Sequence, residues 1–145
     1  MKRILITLYI CIAYVTGCFA QEKPFIGKMY DKEQDVTLEI NLYEETVKIP
    51  GQDVLGEVYG YLKKNTDSRA WIVMGVRLSK DGKSAELEII NDYGSEDLNA
   101  SLTLTDDGEY VLKQLSGSTM KVASRGKWVK LPKEMTFKMM TSPSR

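Results

Sequence analysis

Leu98-Asn99-Ala100-Ser101-Leu102-Thr103-Leu104-Thr105 places an apolar side chain at every even position and a polar one at every odd position. An extended chain turns successive side chains to opposite faces, so a strict period of two predicts a strand with one face buried and the other in water. Asp106-Asp107-Gly108 then supplies a tight turn, and residues 110–115 read as the returning strand. Ahead of this strand, the polar run 92–97 reads as a connecting loop. Before it, residues 70–79, rich in aromatic and β-branched types, lead through Lys80-Asp81-Gly82-Lys83 into residues 84–91 as a hairpin.

The same alternation extends in both directions. Val36, Leu38, Ile40 and Leu42 oppose Thr37, Glu39, Asn41 and Tyr43. After a bend at Glu44-Glu45, Val47 and Ile49 continue the apolar face as far as Pro50-Gly51. Proline cannot donate to a ladder, so the strand ends there. Residues 54–63 read as one strand with Gly56 and Gly60 on one face and Leu55, Tyr59 and Tyr61 on the other. Downstream, Ser116-Gly117-Ser118 and Arg125-Gly126 punctuate short strands at 120–123 and 127–131, and a strand at 135–140 closes the domain.

About nine or ten short strands with turns every eight to twelve residues and no helix predict an all-β domain. Consecutive hairpins favour up-and-down order, and closure removes the two exposed edges of an open meander. The expectation is a single small antiparallel up-and-down β-barrel over residues 21–140, followed by a tail at 141–145, with a two-sheet β-sandwich as the alternative. In strand number, turn placement and glycine-bearing early strands, residues 36–140 resemble the calycin group of lipocalin-like and avidin-like secreted barrels. The resemblance implies a barrel that either fills itself with side chains or holds one small ligand, and it carries no ligand residue with it.

The first twenty residues have a separate role. Lys2 and Arg3 precede an apolar run from Ile4 to Val15 that is too short to span a bilayer comfortably, which reads as a bacterial export signal. Cleavage after Cys18-Phe19-Ala20 releases a soluble protein of 125 residues. The run Val15-Thr16-Gly17-Cys18 also resembles a lipobox, in which Cys18 is acylated and tethers the protein to a membrane. The short stretch between Cys18 and Pro24 favours release. Either route places the domain in the periplasm, at the outer membrane surface, or outside the cell.

Composition narrows the chemistry. Both cysteines, Cys11 and Cys18, lie in the signal, and the 145-residue chain has no histidine. The exported domain therefore has no disulfide, no cysteine nucleophile, no Ser-His-Asp constellation and no histidine-held zinc or haem. Paired carboxylates, Ser-Lys or tyrosine chemistry stay open, but no cluster points to them, so the expectation is a non-enzymatic protein without metal or cofactor. Without the signal the chain has 18 basic and 20 acidic residues, neither gathered in long blocks, which argues against a nucleic-acid partner. Contact with a membrane is expected only through an anchor at Cys18.

Candidate ligand-binding residues are Tyr59, Tyr61, Trp71, Tyr110 and Trp128, whose rings bury area while a hydroxyl or indole N–H fixes a ligand. Rings of this kind more often fill a core. Tyr59 and Tyr61, sharing a face with Leu55, make the expected pocket wall. Met135, Phe137 and Met139 alternate as core residues, with Met140 on the opposite face. Lys127-Trp128-Val129-Lys130-Leu131-Pro132-Lys133 reads as a cation-bearing aromatic patch or, in the preferred reading, as a final strand whose lysines discourage edge pairing. Asp92, Glu96 and Asp97 around Gly94 do not match an EF-hand loop or a glycosidase dyad and read as a solvated loop able to act as a lid. Two functions follow from these readings. One is a barrel pocket for a small apolar or amphipathic molecule, and the other is an envelope inhibitor or immunity factor that binds a protein through a loop or sheet face.

Overall fold

The computed structural model describes residues 23–92 and 95–140. The expected export signal, with Cys18, as well as Gly94 and the tail at 141–145, lies outside the described residues. The remainder is an all-β protein. Eight strands form a closed antiparallel barrel: β1 (Ile26–Asp31), β2 (Val36–Asn41), β5 (Gly60–Lys64), β6 (Trp71–Leu78), β7 (Ser84–Asn91), β8 (Asp97–Leu104), β9 (Tyr110–Gly117) and β12 (Glu134–Met139). Each barrel strand pairs with the next, so the order is up-and-down. β1 closes the ring by pairing Met29 with Leu38 of β2 on one side and Met139 of β12 on the other. The strand at 26–31 was not legible from the alternation that begins at Val36, because Gly27 and Tyr30 interrupt its pattern.

Two hairpins leave the barrel. Between β2 and β5 the chain makes β3 (Val47–Lys48), a 3-10 turn (Asp53–Leu55) and β4 (Glu57–Val58). Between β9 and β12 it makes β10 (Lys121–Ser124) and β11 (Lys127–Lys130), which pair only with each other. The expected single strand over 54–63 is therefore broken. Gly56, at φ +68°, ends the 3-10 turn, and a bend at Tyr59 passes the chain from the satellite hairpin to the barrel. At that crossing Gly60 lies so close to β2 that a Cβ there would stand 2.6 Å from the carbonyl oxygen of Glu39.

Alternate residues of the eight strands point inward and fill the lumen. Leu38, Ile40, Leu62, Leu87, Ile89, Leu102, Leu112 and Phe137 are buried in one continuous core. Both ends of the barrel are covered as well. At one end Phe25 folds in ahead of β1 and packs edge-on against Tyr110, with ring centroids 5.5 Å apart. At the other, Met120, Val122 and Leu131 of the β10–β11 hairpin join the barrel core and cap it. A second, smaller core lies outside the wall, where Val47, Ile49 and Val58 of the satellite hairpin cover Tyr61, Ala70 and Ile72.

The strict alternation fails at two bulges. The pairing of β6 with β7 shifts between Val73 and Gly75, and that of β8 with β9 shifts after Asn99. The extra residues, Met74 and Leu115, are turned out to solvent. The methionine expectation also needs correction. Met135 and Phe137 are in the core, but Met139 reaches the end of its strand over Gly27 and remains 38% exposed.

Candidate functional site

The site is built on the loops at the capped end. Residues 65–70 join β5 to β6, and Asp67 anchors them: its Oδ1 accepts from the N–H of Arg69 at 3.1 Å and from Arg69 Nε at 3.2 Å. Its Oδ2 accepts from the N–H of Ala123 in β10 at 2.8 Å. Two residues back on the same strand edge, the carbonyl of Lys121 accepts from Trp71 Nε1 at 2.9 Å. Side chains of the barrel thus take one acceptor and one donor on the edge of β10 that faces it, as a buried edge requires of its partners. Asp67 is 6% exposed; burial alone would push its carboxyl up, but the donors from Ala123 and Arg69 outweigh that and hold it below the ordinary carboxylate value.

Across the end, Asp92 links three segments. Its Oδ2 accepts from the N–H of Ala70 at 3.2 Å and from Gln52 Nε2 at 3.0 Å, tying the satellite excursion to the loop after β7. Between these loops and the hairpin lies a cleft of about 220 Å³, lined by Arg69, Trp71, Asp92, Glu96, Lys121 and Trp128 among others. The Arg69 guanidinium stacks on Trp128 at 4.2 Å from the ring centroid while its Nε is held by Asp67. A planar cation fixed from two sides leaves its remaining N–H groups able to bind a carboxylate or carbonyl without further ordering.

Of the five candidate rings, Trp71 and Trp128 meet at this cleft. Trp71 forms its wall and is 5% exposed, with its N–H already used; Trp128 is 60% exposed. Tyr59 and Tyr61 do not share a wall, because the bend at Tyr59 reverses the parity. Tyr59 packs against the barrel core and Tyr61 against the outer satellite core, while Leu55 stands on the exposed 3-10 turn. The Tyr61 hydroxyl donates to Glu39 Oε2 at 2.7 Å, and burial followed by that bond pushes its phenol well up. Tyr110 lies at the opposite end, its hydroxyl accepting from the N–H of Phe25 at 3.3 Å.

The sequence reading missed Asp67, Arg69 and Lys121. The spacing Asp67-Ser68-Arg69 immediately before the strand opened by Trp71 was the available signal for a side-chain-capped turn. The Lys127-Trp128 segment is not the final barrel strand, and its four residues are all exposed on the outer strand of the cap. Asp92 and Glu96 border the cleft, as a loop at a barrel rim can. No protein-family model matches the chain, nor does any curated protein or solved structure.

Proposed function

We propose that the protein is an exported, non-enzymatic binding module that engages a protein partner through the capped end of its barrel. The observation that carries this reading is Trp128, more than half exposed and braced by Arg69, with Val129 also exposed beside it. Exposed tryptophan and arginine are the residue types that anchor interfaces, and large apolar side chains grouped in solvent mark contact surfaces. Val54, fully exposed, and Leu55 add to the group, since they follow Gln52, which is bonded to Asp92 of the same cleft. The lumen, the natural ligand site of a calycin-like barrel, is occupied by the protein's own Leu, Ile and Phe side chains. That shifts recognition to the surface.

A second reading is favoured by the cleft itself. Its volume of about 220 Å³, with Trp71 and Trp128 on its walls and both charge signs at its rim, suits a small amphipathic molecule. Tryptophan fluorescence of the wild type and of Trp128→Ala separates the two. A partner protein that forms a stable complex with the wild type, and is lost by about tenfold or more in Trp128→Ala, supports the first reading. Saturable quenching by small amphipathic molecules, with no protein complex, would replace it with the second.

A further inference from the structure

We infer that the outer edge of β11 is a strand-addition site for an extended acidic segment of the partner, which rests on the protein-binding reading above and specifies how the contact is made. Leu131 N–H bonds to the Met120 carbonyl at 2.8 Å, which fixes residues 120 and 131 as a hydrogen-bonded pair. In an antiparallel ladder such pairs alternate, so Val122 with Val129 and Ser124 with Lys127 are bonded pairs as well. The main-chain N–H and C=O groups of Trp128 and Lys130 therefore point away from β10. On the far edge of β10 the Ala123 N–H and the Lys121 carbonyl are taken by Asp67 and Trp71, and among the described residues nothing comparable covers β11, whose four residues are exposed. An uncovered row of donors and acceptors is a template for another strand.

The side chains around this edge state the partner's chemistry. Residues 118–133 contain Lys121, Arg125, Lys127, Lys130 and Lys133 and no acidic residue, although the whole chain carries 20 of each sign. Arg69 adds a sixth cation against Trp128. Lysines alone on an edge would serve to repel other strands. Here the same edge also exposes Trp128 and Val129, which protection would exclude and a bound strand would cover. A segment alternating acidic and apolar residues fits: its main chain extends the β10–β11 sheet, its carboxylates lie on the face of Lys127, and its apolar residues lie on the opposite face against Trp128, with Lys130 beside them.

The test uses a short synthetic peptide alternating Glu and Val, and the same peptide with prolines at residues of both parities so that neither edge can donate. Amide hydrogen exchange is read residue by residue on the intact protein. The alternating peptide is expected to slow exchange at Trp128 and Lys130, the proline peptide to do nothing, and Lys127→Glu with Lys130→Glu to weaken binding about tenfold or more. Salt of about 0.5 M should weaken it as well. Equal binding of both peptides would overturn strand addition while leaving this end of the barrel a protein-binding surface. Binding to phosphatidylglycerol vesicles with no response to either peptide would overturn it in favour of a membrane face, and no response to any probe would also overturn it.

Discussion

Gly60 shows how much one missing side chain decides. Its backbone lies against β2 where the chain re-enters the barrel, and a Cβ would meet both the Glu39 carbonyl and Ile40 Cγ2 at 2.6 Å. Neither neighbour can yield, since Ile40 is buried in the core and the Glu39 carbonyl belongs to the ladder between β2 and β5. Gly60→Ala is expected to destabilise the fold by about 1–3 kcal/mol, the usual cost of overpacking, read as a lower denaturation midpoint. An unchanged midpoint would mean that β2 and β5 do not approach this closely. The glycine itself was visible in the sequence, paired with Gly56 on one face of a strand, where glycine marks a bend or a close backbone approach. The partner strand was not, because nothing local to residue 60 names residues 39 and 40.

At the scale of the element, the β10–β11 hairpin is assembled from both its own sequence and the barrel beneath it. Arg125 and Gly126 have φ of +53° and +77°, the conformation of a two-residue hairpin turn whose twist matches its strands. The hairpin is then pinned by Asp67, which is ionised where its carboxyl accepts three bonds. Because its folded-state value is lowered, the stabilisation is fully present above the ordinary carboxylate value and fades as pH falls through the lower, folded-state one. Asp67→Asn should cost about 1–3 kcal/mol at neutral pH, and the gap between wild type and variant should narrow below about pH 4. A gap that does not change with pH would show that the charge of Asp67 does not hold the cap. The turn was legible in the sequence; the anchor was not, since Asp67 and Ala123 lie 56 residues apart.

Over the whole molecule, period-two alternation carried the fold class, the hairpin order and most strand positions, because a half-buried strand writes its two faces directly into the sequence. It failed where tertiary geometry resets parity. The bulges turned out Met74 and Leu115, the bend at Tyr59 separated Tyr59 from Tyr61, and residues 127–131 left the barrel to become the rim of its cap. Trp71 and Trp128 were named from their chemistry, but that they share a cleft follows from the crossover of the hairpin over the barrel end, which no local pattern encodes.

The central claim is that one barrel, closed by β1 and β12 and filled by its own side chains, leaves β11 as an open edge at its capped end. Amide hydrogen exchange across the intact protein, without any ligand, tests closure and the open edge together. The amides of Tyr30 and Lys138, where β1 and β12 pair, are expected to exchange as slowly as those of β7 and β8, limited by global opening, while those of Trp128 and Lys130 exchange at loop rates. Fast exchange at Tyr30 and Lys138, or slow exchange at Trp128 and Lys130, would contradict the closed barrel with an open β11 edge.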